Sequence, residues 1–586
     1  MELVETITNH KQKLTDFWHS RNTKMEQERK LLALTESPKV KGFVTVTLNE
    51  PKVMYDTSVA LLSGFEPKIR LPLAAQADEE KDKMNKAERF LLGVLRELDR
   101  KQLATGRDRF LRELAYYICS GWYAAFPYIS SLNGQPDFNC VLYDPMTIYP
   151  QWGSTGLKRL VRTYMTSRNM ADIMLEENGW SVELGGDEED VEIVNYWEQK
   201  GSKVFNAVLV GGKVAKPWTQ ESFPFIPVIV GTVGGTPYST RQSETSWISS
   251  KGESVIASNV STYKQMNRWM SLVMQIVQDT AYPSIIDFNE EGQPLLRAED
   301  MGSGSIIPRK IGNVVETLKK AGVPPELWQL MSFLSGSAQR GALPYVVFGG
   351  LPFELSGFAL SQLFASIRHK LSPYMNSMQG LLGVICTEFL RQFRTGGYGK
   401  VSLVTEQPRR VGKGETFVEE FSAKDIPKVT FVEIGLPIAL PTDKAQNILM
   451  ARQAIQPPAL LSRPTLWDEF LDVQDSNLEY ERIIEDKILE LPIMQTIMTI
   501  ERLKGKAAAM AAKGNEAAAA AIERYAAAME AQMLAPQGQG QQGQQGMLPQ
   551  GLPGEMTGAS PDMIRSMLGI PPTGEAGRVA RPEGVG

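Results

Sequence analysis

Three histidines, His10, His19 and His369, and three cysteines, Cys119, Cys140 and Cys386, are the whole stock of imidazole and thiol in 586 residues. The cysteines lack the paired spacing of a zinc site, and no Cys-His or Ser-His arrangement is implied. A phosphate-cradling loop needs glycine, a four-residue spacer, then Gly-Lys and a hydroxyl to hold magnesium. Gly396-Gly397-Tyr398-Gly399-Lys400-Val401 and Val411-Gly412-Lys413-Gly414-Glu415 come nearest, and neither has the full spacing or the hydroxyl. Gly302-Ser303-Gly304 lacks the third glycine of a dinucleotide fingerprint and follows no βαβ pattern, so it reads as a turn. Asp287, Glu290 and Glu291 beside Gly292 read as a solvated turn, with a carboxylate-metal nuclease as the alternative they leave open. Gly185-Gly186-Asp187-Glu188-Glu189-Asp190 reads as a hairpin turn, a metal site being its alternative. These residues predict no catalytic group, no metal and no cofactor.

The surrounding chain is too long for one core, so several subdomains are expected. Its 42% hydrophobic and 22% charged residues are ordinary for a folded protein. No apolar run is long enough for a transmembrane helix, and the first residues lack a secretory pattern. The scattered cysteines suit buried thiols in a reducing compartment. A net charge of −5 weighs against a protein that grips DNA through phosphate neutralisation.

Residues 1–40 read as a polar helix, with His10 and His19 in a mobile segment, and residues 41–250 as mixed α and β. Within the latter, 157–164, 191–197 and 204–210 are strand-like, and 87–117 is a helical stretch. Residues 256–279 place Ile256, Val260, Tyr263, Met266, Met270, Val273 and Val277 at helical spacing, and Tyr282-Pro283 ends the run. A small β-like insert includes 284–288 and 313–318. Val323-Pro324-Pro325-Glu326 opens a second helix that ends near Gly341-Ala342-Leu343-Pro344. The loop Tyr345-Val346-Val347-Phe348-Gly349-Gly350-Leu351-Pro352 leads into a long helix reaching Phe393, where Pro373 predicts a kink or break. Strand-like stretches at 400–404 and 428–432 could complete the larger sheet. Helices are expected at 442–454 and beyond 460. The alanine-rich tract 493–534, broken at Gly505 and Gly514-Asn515, should pack mostly against other copies. Residues 536–586 read as disordered, with 560–569 either a docking helix or a transient turn.

Helix, compact β-insert, helix, apolar loop and long helix, in that order, resemble the stem, clip, tunnel loop and wing helix of a tailed-bacteriophage portal protein. The resemblance covers roughly residues 25–490, and it extends to the extended segment 43–52, to Asp144-Pro145 with Ile148-Tyr149-Pro150, and to 223–229. It implies an α+β, mostly helical portal-type fold that forms rings. The wing would occupy 1–250, the first stem helix 251–281, the clip 282–322 and the second stem helix 323–343. The tunnel loop would be 344–357, the kinked wing helix and wing strands 358–455, the crown 456–534 and a tail 535–586.

The implied function is a non-enzymatic conduit at one capsid vertex through which DNA is packaged and ejected. The implied partners are further copies in a homo-dodecameric ring and double-stranded DNA in the channel. The terminase large subunit, a head-completion, adaptor or tail protein, and the major capsid and scaffolding proteins complete the set. No membrane is involved, and the location would be the virion, or host cytoplasm during assembly. Lys264, Arg268, Gln275 and Gln339 would face the channel, with Lys264 and Arg268 otherwise exposed cations that pair with a neighbour's acids. Val346, Val347, Phe348, Gly349 and Gly350 would form the tunnel loop, its alternative being a buried connector packed on the wing. Arg297, Arg309, Lys310, Lys319 and Lys320 would make the clip locally basic for docking. A nearly neutral or acidic lining suits sliding DNA, because tight phosphate contacts act as brakes. Another ring-forming connector or tail-tube component remains the alternative.

Overall fold

Ile7, Leu14, Trp18, Met25 and Leu31 recur at steps that keep them on one side of a helix, and all are buried on α1 (Glu2–Leu32). The reading of this segment as mobile is thereby corrected: Trp18 is 2% exposed, and His10 Nδ1 lies 2.8 Å from the Tyr196 hydroxyl. The computed structural model describes residues 2–36, 44–64, 66–72, 78–132, 134–185, 189–237, 243, 247–281, 285–288, 314–317, 324–344, 357–407, 415–428, 431–436, 480, 483–484, 487–489, 491–512 and 516–534. They fall in two units, Met1–Arg482 and Ile483–Gly586.

After α1 come α2 (Glu50–Ser63), β1 (Lys68–Arg70), α3 (Asp78–Ala104) and α4 (Phe110–Cys119). The single helical stretch expected over 87–117 is two helices. Gly106, at φ 73°, takes the left-handed conformation that ends α3, and Asp99 Oδ1 accepts the Phe110 amide at 2.8 Å to start α4. Next are β2 (Trp122–Leu132), β3 (Gln135–Leu142), β4 (Ile148–Gly153), β5 (Gly156–Ser167), α5 (Arg168–Glu177), β6 (Asp190–Lys200), β7 (Lys203–Val210), β8 (Lys213–Glu221) and β9 (Ile229–Thr232). Strands β4 to β8 form a five-stranded antiparallel meander, while β3, β2 and β9 form a three-stranded sheet.

The strand period of two sorts the meander's faces. Val161, Val194, Tyr196, Ala207 and Leu209 pack against α1. Leu160, Trp197 and Val204 on the other face meet Ala124, Ile226 and Val228 from the smaller sheet and its flanks. Ile193, Val208 and Val210 cover α5 through Ala171 and Leu175.

The largest core joins α2, α3 and α4 to a helix of 39 residues, α8 (Gly357–Thr395), which follows α6 (Val260–Ala281), β10 (Ile285–Phe288), β11 (Val314–Thr317) and α7 (Pro325–Gly341). Of the kink or break expected at Pro373, the break does not occur, since the helix runs on to Thr395. Proline removes the amide that would bond the His369 carbonyl, and the Ser372 hydroxyl donates to that carbonyl instead, at 2.8 Å. The stretch near 400 does not complete the larger sheet either. Strands β12 (Val401–Gln407) and β13 (Glu415–Phe421) make their own ribbon on α3, where Thr405 Oγ1 donates to the Arg89 carbonyl at 2.9 Å. The short β14 (Glu433–Gly435) pairs with β1.

In the second unit α9 (Pro492–Ala512) and α10 (Glu516–Leu534) pair with each other, burying Ile500, Ala507, Ala519 and Ala526, and Lys504 reaches Glu530 at 2.7 Å. Gly505 sits inside α9 without breaking it. Part of the alanine packing assigned to other copies is thus met within the chain. Residues 442–454, the stretch 460–479 and the tail from 535, with its 560–569 segment, lie outside the described residues.

Candidate functional site

The helix pair α6 and α7 is rooted by a single asparagine. Asn259, 3% exposed, donates from Nδ2 to the Ala338 carbonyl at 2.7 Å and to the Tyr263 hydroxyl at 3.3 Å. This approach requires glycine at 341, since a Cβ there would stand 2.1 Å from Asn259 Oδ1. From α8, Lys370 Nζ donates to the Gly341 carbonyl, and burial pushes its ammonium pKa below the usual range. Tyr374 Oη donates to the Glu253 carbonyl at 3.1 Å, so α8 holds both the residues before α6 and the end of α7.

Along α6, Asn267, Ser271 and Gln275 stand four residues apart and therefore on one stripe. Their side-chain oxygens accept the amides of Leu48, Val46 and Val44 at 2.9, 2.9 and 2.8 Å. Four residues of helix rise about 6 Å, and two residues of extended chain advance about 6.6 Å, so the two spacings nearly match. The helix thereby gives the extended segment 44–48 what a neighbouring strand would give it. The segment expected to be extended, 43–52, is corrected at its end, where Glu50, Pro51 and Lys52 open α2, and the partner of 44–48 was not foreseen. The signal was there in three amide- or hydroxyl-bearing residues at four-residue steps.

This arrangement fixes where the predicted channel residues sit. Gln275 is half-buried and holds Val44, with Nε2 donating to Asp279 at 3.1 Å. Gln339 Nε2 donates to the Leu343 carbonyl at 2.9 Å, which closes the end of α7. Neither amide points freely into solvent. Lys264 donates to Gln27 of α1 at 3.1 Å, and Arg268, on the same side of α6, is exposed. Val346, Val347, Phe348, Gly349 and Gly350 lie outside the described residues, as do Arg297, Arg309, Lys310, Lys319 and Lys320. Between the helices, Ile285–Phe288 and Val314–Thr317 pair antiparallel, as the β-like insert anticipated.

The apolar stripe of α6 is buried near the root at Tyr263, Met266 and Val273, but continues outward to Met274, 42% exposed, and Val277, 45% exposed. On α7, Trp328 and Phe333 are 59% and 64% exposed, and Ala338 is its one buried residue. Large apolar side chains left exposed on two paired helices are of the kind that contact surfaces use.

Cys119, Cys140 and Cys386 are buried, and burial raises each thiol, Cys386 to about 12, so the thiolate is disfavoured. Among the described residues no three His, Cys, Asp or Glu side chains cluster as metal ligands, and no helix is long and apolar enough to cross a membrane. No protein-family model and no curated protein matches the chain.

Proposed function

We propose that this chain is a portal subunit of a tailed bacteriophage. Identical copies close into a ring at one capsid vertex, and double-stranded DNA passes through it during packaging and ejection. In this reading α6 and α7 are the stem, residues 282–322 the clip where the terminase and later a connector or tail protein dock, and residues 344–357 the loop that meets DNA. The apolar surface left open on the paired helices carries the reading: Met274, Val277, Trp328 and Phe333 remain wet on one chain and would be covered by neighbours in a ring. The rigid root supports it, because a conduit wall needs helices held at a fixed angle. The loop's Val346-Val347-Phe348 tip would press on sliding DNA without salt-dependent bonds.

Electron microscopy and light scattering of the purified protein test this directly. A closed ring with a central hole is the expected result. Solitary molecules at every concentration, with capsid and scaffolding proteins present, would refute it.

A further inference from the structure

Two small cavities adjoin beneath α1, and Met25, Glu28, Ser120 and Ser254 line both. Arg21, Lys24 and Lys251 line one of them, with Trp122 and Gly252. Each gives the centre of a water-sized sphere about 10 Å³ of room, near the least that one water needs. Three side-chain atoms here make no well-formed hydrogen bond within the protein, Arg21 Nη1, Glu28 Oε1 and Ser254 Oγ, although the Ser254 hydroxyl approaches the Glu28 carboxyl closely enough to lower its pKa. All three residues are buried, at 2%, 5% and 4% exposure.

Arg21 cannot turn away to satisfy itself elsewhere. Its Nη2 donates to Asn22 Oδ1 and to the Ile148 carbonyl, both at 2.8 Å, and its Nε donates to Asn22 Oδ1 at 3.0 Å. Its guanidinium carbon also lies 4.8 Å from the Trp18 ring centre and 5.0 Å from that of Trp122. The remaining Nη1 is therefore held in place. Leaving a buried donor or acceptor unpaired costs about 1–3 kcal/mol, and more when it is charged. Three such atoms around adjoining cavities call for a bound species.

We propose that these cavities form an internal hydration site, in which ordered water joins Arg21 Nη1, Glu28 Oε1 and Ser254 Oγ. Water fits because the lining asks for both roles at once. It accepts from the guanidinium and donates to the carboxylate, and the serine hydroxyl can do either. An anion would face the Glu28 carboxylate, and a cation would face Arg21 and Lys24. Ser254 lies just before Val255 and Ile256, which pack in the core at the foot of α6. The Ser254 hydroxyl lies near enough to the Glu28 carboxyl to lower its pKa, so the water reinforces an existing approach between α1 and the base of the helix pair. This assignment stands on the cavities alone and does not need the portal reading.

A high-resolution map of the intact protein tests it. Density peaks within hydrogen-bond distance of all three atoms are expected. They should persist in Glu28→Gln, which keeps an acceptor, and the peak at position 28 should be lost in Glu28→Leu. Soaking in bromide and recording anomalous signal separates the alternatives, since a bromide peak in the cavity would overturn the assignment to water. Cavities without density in the unaltered protein would overturn it as well, whether or not the leucine variant folds.

Discussion

Replacing Gly341 with alanine should loosen the helix pair, whereas the same replacement at Gly336, five residues earlier in α7, should tighten it. At Gly341 the new Cβ would stand 2.1 Å from Asn259 Oδ1 and 2.6 Å from both Cγ and Nδ2. Asn259 must then move, and it gives up its bonds to the Ala338 carbonyl and the Tyr263 hydroxyl in a site that is 3% exposed. The crowding and the lost buried hydrogen bonds together cost about 2–3 kcal/mol. Gly336 meets nothing within 4 Å of an added Cβ, so alanine there gains its helix preference, about 0.5–1 kcal/mol. Hydrogen exchange of α6 and α7 peptides reads local opening even where a large chain does not unfold in two states. Exchange should quicken by about thirty- to a hundred-and-fifty-fold in Gly341→Ala and slow by about two- to five-fold in Gly336→Ala. In an Asn259→Ala background the Gly341→Ala penalty should largely vanish, because the two side chains act on each other. Effects of the same sign at both glycines, or a penalty that survives loss of Asn259, would refute the account of the root.

Asn267→Leu removes the acceptor of the Leu48 amide and the donor to the Glu36 carbonyl, a loss of about 2–4 kcal/mol locally; limited proteolysis should then cut within 44–48, and unchanged protection would show that the ladder does not hold the segment. Ser372→Ala should destabilise α8 by no more than about 0.5 kcal/mol in thermal unfolding, because the bond is exposed and water can replace the hydroxyl at the His369 carbonyl; adding Pro373→Ala should more than restore it, since proline inside a helix costs about 3 kcal/mol. Burial raises the Glu28 carboxyl above its usual range, Lys24 and the Ser254 hydroxyl opposing the shift and Glu253 adding to it. The folded form therefore holds the proton more tightly than the unfolded chain. Its carboxylate costs stability above the raised value, and that cost fades as pH falls through it. Glu28→Gln should raise the melting temperature at about pH 8, with a gain that shrinks towards about pH 5. Trp328→Ser with Phe333→Ser should reduce assembly, measured by light scattering, while the melting temperature of the single chain changes little, since both side chains are exposed.

Local spacing determined a good deal of this protein. Enrichment in β-branched and aromatic residues marked β5, β6 and β7, periodicity marked α6, and prolines marked where α6 stops and α7 begins, because these signals act between residues close in the chain. Spacing says which residues share a face; it does not say what that face meets. The stripe of Asn267, Ser271 and Gln275 became a mount for residues 44–48 only through contacts more than 200 positions apart in sequence. Arg21 and Glu28 sit on the same buried side of α1 as Ile7 and Trp18, an exception that helical periodicity can locate but whose surroundings it cannot supply. Pro373 looked like a break until Ser372 supplied the missing bond, and Gly341 looked like a plain helix end until Asn259 was found beside it. Tertiary structure decided these points because close approach, burial and hydrogen-bond partnership are set by distant segments meeting, and the local sequence carries no record of which ones do.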